Sequence, residues 1–189
     1  MTAEWRPRLA VYWTAGCGGC ETVFLDLGER LLEVFDRFEI VFFPLLVDSR
    51  REDVQRFADG AVDLCFVTGA IRSSHDEEMV EELRRVSRHL VALGACAQLG
   101  SVLGLANTVP VQTLLETVGI PGQGRQDDDR RVPDVPKLTP AVVPVDHVVR
   151  VDAFVPGCPP EHERLWDVIE LFATALATGQ SLPAPGSVL

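Results

Sequence analysis

The feature that most constrains the fold is an alternation of short, continuous apolar runs with amphipathic segments of helical period. The runs that predict strands are Leu9–Trp13, Ile40–Leu46, Val62–Val67, Leu90–Leu93 and Val148–Val155. The segments that predict helices are Glu21–Phe38, Arg50–Ala58, Ser74 to about Ser87, and Glu161–Ala177. Apolar strands separated by helices are typical of a parallel sheet covered on both faces. The pattern therefore predicts an α/β fold, a flavodoxin-like three-layer domain with a mostly parallel sheet.

The domain organisation follows from where this alternation holds and where it stops. Residues 1–178 are expected to form one domain, with an irregular insertion at about 119–144 that is rich in Gly, Pro and charge. Residues 179–189 contain two prolines and small residues, so they are predicted to be a flexible tail. Ser74 is the expected N-cap of its helix, because Glu77 stands three residues later as in a capping box.

Composition excludes several classes of function. The net charge of −11 argues against a nucleic-acid binder. No apolar run approaches the roughly 20 residues that a membrane-spanning helix needs, and residues 1–8 lack the apolar core of an export signal. The first predicted strand is not followed by the glycine fingerprint of dinucleotide-binding folds. We therefore expect a cytoplasmic protein without a membrane span, whose five cysteines are free thiols or metal ligands.

Four of the five cysteines follow predicted strands directly. Cys17 and Cys20 come just after the first strand, Cys96 follows the fourth, and Cys158 follows the fifth. The carboxyl ends of parallel strands meet at one edge of a sheet, where open α/β sheets bind ligands. Cys65 differs, because it lies in the middle of a strand and is expected to be a buried core thiol. The sequence thus predicts a four-thiolate site with Cys65 outside it.

Four convergent thiolates can hold either zinc or an iron–sulfur cluster. Structural zinc sites usually pair two C-x-x-C knuckles in a small, loop-rich unit, whereas these cysteines occur as two, one and one over most of the chain. Cys158 precedes a proline, as cysteines of cluster-binding runs also do. On spacing, a four-iron cluster is favoured, and a zinc-stabilised binding module stays open as the alternative. The four histidines are scattered and predict no ligand set.

Several short motifs, taken together and in this order, resemble one known family. They are Cys17-Gly18-Gly19-Cys20-Glu21 with Phe24-Leu25-Asp26-Leu27 behind it, Thr68-Gly69-Ala70-Ile71, His75-Asp76-Glu77, Gly94-Ala95-Cys96-Ala97 and Pro156-Gly157-Cys158-Pro159-Pro160. The chain resembles the small subunit of cytoplasmic, cofactor-coupled nickel–iron hydrogenases. It also resembles the related 20-kilodalton cluster subunit of respiratory complex I, which carries two adjacent cysteines at the first motif.

The resemblance implies an electron-transfer function. Cys17, Cys20, Cys96 and Cys158 would ligate one proximal 4Fe–4S cluster beside a nickel–iron centre held by a separate large subunit. The resemblance implies a subunit of an oxidoreductase acting on H2, with no catalytic residue on this chain. Because no cysteines are left for further clusters, electrons would leave to flavin or iron–sulfur subunits, with NAD(P) as the expected acceptor. Some motifs, notably Gly104-Leu105-Ala106-Asn107, look closer to the methanogen-type branch.

Two features leave alternatives within this resemblance. A complex I-like, quinone-coupled subunit is the first alternative, and the spaced Cys17 and Cys20 pair argues against it. Glu21 has two interpretations: a carboxylate that favours the positive end of its helix, or a contact to the large subunit or a proton route.

Overall fold

The computed structural model describes residues 5–118 and 135–189. Its strands are β1 (Arg8–Trp13), β2 (Glu39–Phe42), β3 (Val62–Thr68), β4 (Ile71–Ser73), β5 (Ser87–Leu93), β6 (Leu138–Val143), β7 (Ala153–Val155) and β8 (Ser187–Val188). Its α-helices are α1 (Gly19–Asp26), α2 (Arg30–Arg37), α3 (Arg51–Arg56), α4 (Ser74–Val86), α5 (Ala95–Leu99), α6 (Val111–Val118) and α7 (His162–Thr178). Two 3₁₀ helices span Ser101–Thr108 and Val145–His147. Within these ranges no helix is both long and apolar enough to cross a membrane.

Six strands form one parallel sheet in the order β2-β1-β3-β5-β7-β8. The central strand β3 is buried along its whole length, as expected where helices cover both faces of a parallel sheet. Strands β4 and β6 form a separate antiparallel pair. The predicted α/β fold with a mostly parallel sheet is confirmed.

The two faces of the sheet carry two apolar clusters, and alternate residues of each strand belong to different clusters. On β3, Leu64 and Phe66 pack with α1, α2 and α7. Cys65 and Val67 point the other way and pack with α3, α4 and the start of α5. This alternation follows from the two-residue period of a strand, and it produces three layers with the carboxyl ends of β1, β3, β5 and β7 at one edge.

The helix predicted over Glu21–Phe38 is two helices. Helix α1 ends at Asp26 and α2 begins at Arg30, and Gly28 between them has a φ of 59°. Other residue types rarely adopt this left-handed conformation, so the glycine permits the break although the apolar stripe continues through it.

Two predicted strands are shorter in the structure. β2 ends at Phe42, because the Leu46 and Val47 amides donate back to the Phe43 carbonyl and close a turn. β7 begins only at Ala153. Upstream of it the Val148 and Val149 amides donate to the Val145 carbonyl and are therefore not available to a sheet.

The N-cap of α4 is Ser73 and not Ser74. The Ser73 hydroxyl accepts from the Asp76 amide at 3.2 Å, and the Asp76 carboxylate accepts from the Ser73 amide at 2.8 Å. This is a capping box shifted one residue from the predicted Ser74 and Glu77 pair. Ser74 instead accepts a hydrogen bond from the Lys137 amide.

The two regions expected to be irregular contribute to sheets where they are described. Of the predicted insertion at 119–144, residues 119–134 lie outside the described residues, and 138–143 form β6, which pairs with β4. The predicted flexible tail 179–189 ends in β8, and the Leu189 amide donates to the Phe154 carbonyl at 2.8 Å. Pairing with strands distant in sequence stabilises both segments. Their Pro and Gly content does not predict this pairing.

Candidate metal centre

Four cysteines line one small cavity at the carboxyl edge of the sheet. Cys17 lies in the loop after β1 and Cys20 in the first turn of α1. Cys96 lies in the first turn of α5, directly after β5, and Cys158 lies in the loop after β7. The predicted convergence is therefore observed, and the assignment of these thiols as ligands stays a prediction.

Backbone hydrogen bonds hold the cysteine segments in register. The Ala15 and Ala70 backbones exchange two hydrogen bonds, at 3.1 and 2.7 Å, which fix the first cysteine loop to the loop after β3. The Ala95 amide donates to the Gly157 carbonyl at 2.7 Å, which joins the Cys96 segment to the Cys158 loop. The cysteines are thus positioned by the scaffold before any group binds.

Electrostatics show that the thiols are close enough to influence one another. In the metal-free chain, burial raises the pKa of Cys20 to about 12, and the charges of Glu21, Cys96, Cys17 and Cys158 add to the rise. Burial also raises the pKa of Cys96, with smaller contributions from Cys158 and Cys17. Four thiolates in this space would repel one another, so their deprotonated forms require a compensating cation.

The donor set fits a polynuclear iron–sulfur group better than a single ion. Within residues 5–118 and 135–189 no three His, Cys, Asp or Glu side chains are arranged to hold one metal ion. The four cysteines instead line one small cavity from three separate strand ends, an arrangement that cysteines of a cluster site also show. A side chain at Gly94, where φ is 90°, would overlap the Cys20 sulfur, so only glycine leaves that sulfur its position.

Glu21 is buried beside this cavity. Its side chain is 3% exposed and its carboxylate accepts a hydrogen bond from the Thr68 hydroxyl. Burial raises the pKa of the Glu21 carboxyl, opposed by a backbone hydrogen bond. A carboxylate that served only the start of a helix would not need to be buried in this way, which favours a role connected with the site.

The other candidates from the sequence lie elsewhere. Cys65 is fully buried in β3 with burial raising its pKa to about 12, and it does not line the cavity. All four histidines fall in the described residues, and none lines the cavity. Trp13, the last residue of β1, is 48% exposed, and its indole lies beside Gly16 of the first cysteine loop.

Two residues of the site were missed by sequence reasoning. In the sequence, Thr68 stands out only as part of the motif Thr68-Gly69-Ala70-Ile71, but its hydroxyl is the partner of Glu21. Ser101 has a φ of 42°, and its side chain opposes the rise in the pKa of the Cys96 thiol. Neither residue stands at a sequence spacing from the cysteines that would mark it as part of the site. Each reaches the site only because loops from different strands pack together.

Comparison with known proteins places this chain in a family. The sequence model of the family described as "NADH ubiquinone oxidoreductase, 20 Kd subunit" matches residues 17–172. An iron–sulfur subunit of the F420-non-reducing hydrogenase of Archaeoglobus profundus is 32% identical over 95% of this chain, which spans 58% of that relative's length. The delta subunit of the NAD-reducing hydrogenase HoxS of Cupriavidus necator is 29% identical, over 98% of this chain and 85% of the relative.

Solved structures agree in fold. A chain of an NAD⁺-reducing [NiFe]-hydrogenase in the H2-reduced state superimposes with a TM-score of 0.76 and 31% identity, covering 96% of both chains. A chain of the Dm. baculatum [NiFeSe]-hydrogenase superimposes with a TM-score of 0.62, covering 98% of this chain and 70% of that one. At 17% identity the second likeness supports the fold alone.

Proposed function

The chain belongs to the family of the NADH:ubiquinone oxidoreductase 20 Kd subunit, and on that premise we propose that it is the electron-transfer small subunit of a nickel–iron hydrogenase. In this proposal it relays electrons between a nickel–iron site on a large subunit and further redox subunits. The relatives that support this are themselves hydrogenase subunits of two kinds, F420-non-reducing and NAD-reducing. A cytoplasmic location remains an expectation from the resemblance.

The single observation that carries the proposal is the convergence of four cysteines, from the ends of three strands, on one cavity. Cys17, Cys20, Cys96 and Cys158 would hold one 4Fe–4S cluster, which supplies one-electron redox chemistry when bound. The chain's own contribution is the fixed position of the four sulfurs and the partial exclusion of water around Cys20 and Cys96. Glycine at position 94 keeps the approach to the Cys20 sulfur free of a side chain.

The partners in this proposal follow from the lack of further thiols. Cys65 is the fifth and last cysteine of the chain and is fully buried in the central strand. Electrons that reach the site would therefore leave to flavin or iron–sulfur subunits. We favour NAD(P) as the acceptor, because an NAD⁺-reducing enzyme matches along 96% of both chains.

Replacement of single cysteines tests the ligand assignment. Cys96→Ala in the purified complex should remove most of the iron of this chain and abolish H2-dependent reduction of an artificial acceptor. Cys65→Ala is the matched control, since it deletes a thiol of the same chain that is fully buried and away from the cavity. Equal iron loss in both variants would contradict the assignment.

The same preparation separates this proposal from its two alternatives. A nickel-containing chain that co-purifies distinguishes a hydrogenase from a quinone-coupled, complex I-like subunit, which would lack nickel. Metal analysis together with electron paramagnetic resonance of the reduced protein distinguishes both from a zinc-stabilised binding module. Zinc at one atom per chain, without a paramagnetic signal, would overturn the electron-transfer function.

A further inference from the structure

Trp13 is a large aromatic side chain that belongs to neither apolar cluster of the described chain. It is the last residue of β1, and the two-residue period of the strand places it on the same face as Leu9 and Val11, which pack with α1, α2 and α7. Those two residues are buried, whereas Trp13 is 48% exposed. Tryptophan is among the side chains that bury the most apolar area, so its place outside the core points to a contact elsewhere.

That contact is with the first cysteine loop. A β-carbon built on Gly16 would lie 3.4 Å from the Trp13 Nε1 atom and 3.7 Å from its Cδ1 atom, and one built on Gly18 would lie 4.0 Å from its Cη2 atom. The two ends of one indole therefore lie beside the two glycines that flank Cys17. Because neither glycine has a side chain, the ring can approach the loop backbone at both points.

The indole supports this loop from outside the cavity. Residues 16–18 line the cavity, and Trp13 does not. The backbone of Trp13 is fixed by the sheet, because it pairs with Thr68 of β3. A flat ring anchored on a strand limits the motion of the loop that presents the Cys17 sulfur, as a supporting residue does for a binding site.

Access of water gives this contact a consequence for redox chemistry. Cys17 and Cys158 are exposed, whereas Cys20 and Cys96 are partly buried. Solvent exposure is one of the factors that set the reduction potential of an iron–sulfur cluster. Reduction adds negative charge, which water stabilises more strongly than an aromatic ring does. An indole that keeps water from the Cys17 side therefore lowers the reduction potential and slows the loss of iron.

We infer that Trp13 is a positioning residue for the iron–sulfur group, one that holds the Cys17 loop in place and excludes water from that side of the site. This inference rests on the proposed function, in which the four cysteines hold a 4Fe–4S cluster. The indole acts through the loop backbone and is not itself a ligand. Its effect is therefore on the reduction potential and on the retention of iron, and not on the number of irons bound.

The test is Trp13→Ala in the purified complex, with the Cys96→Ala complex as the blank for iron held by other subunits. Without oxygen, the iron of this chain should pass to a chelator about tenfold faster than in the wild type, the lower end of what the loss of an outer-shell contact costs in metal affinity. The reduction potential of the cluster, followed by electron paramagnetic resonance in a redox titration, should become more positive. Iron in the fresh preparation and nickel per chain should stay at the wild-type level.

Two further variants control for the removal of a tryptophan. Trp5→Ala should change neither the potential nor the rate of iron loss, because Trp5 is 63% exposed but lies near the start of β1, at the opposite edge of the sheet. Trp13→Phe keeps an aromatic ring on the loop, so its rate of iron loss and its potential should lie between those of the wild type and Trp13→Ala. If Trp13→Ala does not assemble, Trp13→Leu takes its place with the same expectation, since leucine is apolar but has no flat ring.

Three results would overturn this inference and leave the proposed function standing. The first is a wild-type potential and a wild-type rate of iron loss in Trp13→Ala. The second is equally fast iron loss in Trp5→Ala, which would show a general loss of stability. The third is loss of nickel with the potential and the iron retention unchanged, which would assign the indole to a subunit contact. If the wild-type chain holds no iron, the proposed function itself fails, which is a distinguishable result.

Discussion

The position of the Cys20 sulfur depends closely on Gly94. It separates β5 from α5, its φ is 90°, and a side chain there would overlap the Cys20 sulfur. Both conditions act together, because the backbone angle disfavours any other residue and the space is already filled by a candidate ligand. The glycine therefore matters for the position of the sulfur as much as for the turn.

Gly94→Ala should remove the bound group while leaving the fold intact. The added methyl would displace Cys20 and cost roughly 1–3 kcal/mol in backbone strain, so we expect iron per chain to fall well below half of the wild-type value. Gly104→Ala is the control, since a side chain there would meet no atom within 4 Å. Iron and sulfide quantification, with circular dichroism to check folding, measures both. If the Gly94→Ala variant bound as much iron per chain as the wild type, a side chain at position 94 would not displace the Cys20 sulfur, and this prediction would be wrong.

At the scale of elements, α3 is joined to α4 by Arg51 and by Gln55, whose side-chain amide donates to Glu82 at 3.1 Å. The Arg51 guanidinium donates to Glu82 at 2.6 Å and to Glu78 at 3.0 Å, and it contacts the His75 ring at 3.4 Å. The hydrogen bond to Arg51 lowers the pKa of the Glu82 carboxyl, and the two acids raise that of Arg51. Arg51 and Glu82 are 30% and 21% exposed, so water weakens this pair but does not cancel it.

Glu82→Gln should destabilise the metal-free chain at pH 7 by about 1 kcal/mol, by loss of this ion pair. A carboxyl whose pKa is lowered in the folded state contributes stability above its unfolded pKa of about 4.3, and the contribution disappears as the pH falls through the folded value. The difference between variant and wild type should therefore shrink below about pH 4. Urea unfolding at pH 7 and under acid conditions measures this.

Glu81→Gln on the same helix controls for the loss of one negative charge. Glu81 is exposed and forms no ion pair with the described residues. It should change the free energy of unfolding little at either pH. A pH-independent effect of Glu82→Gln would show that the side chain acts through packing and not through its charge.

For the whole molecule, the number of thiols limits what the chain can hold. A 4Fe–4S cluster takes four cysteine ligands, and the chain has five cysteines, one of them inaccessible in the centre of the sheet. In the described residues, the segments that present Cys17, Cys20, Cys96 and Cys158 meet at one edge of the sheet, where backbone hydrogen bonds connect them to neighbouring segments. A second site of the same kind would require Cys65 to leave β3.

The purified complex should therefore contain about four irons and four sulfides attributable to this chain. Iron and acid-labile sulfide are quantified on the complex, and the contents of the other subunits, purified alone, are subtracted. The iron content of the Cys96→Ala complex, subtracted from that of the wild-type complex, gives a second and independent measure of the iron held by this chain. Density for a further cluster held wholly by this chain would contradict the single-site arrangement and the need for an exit subunit.

The sequence by itself determined the α/β class and the candidate site. Short, continuous apolar runs that alternate with helices indicate strands whose two faces are both covered by helices. Cysteines placed directly after such strands lie at the carboxyl edge of a parallel sheet. That argument needs only the order of elements along the chain. It placed Cys17, Cys20, Cys96 and Cys158 at one edge and kept Cys65 in the core.

Tertiary structure decided everything that depends on contacts between distant segments. The strand β6 within the expected insertion and the strand β8 in the expected tail both follow from pairing with strands far along the chain. The hydrogen bond between Glu21 and Thr68 also joins distant segments. The exposure of Leu99, Val102 and Leu105 depends on the tertiary structure too, because an apolar side chain is buried only where another segment packs on it. The local sequence pattern shows whether a segment is a helix or a strand. Which other segments it packs against is decided only in the folded chain.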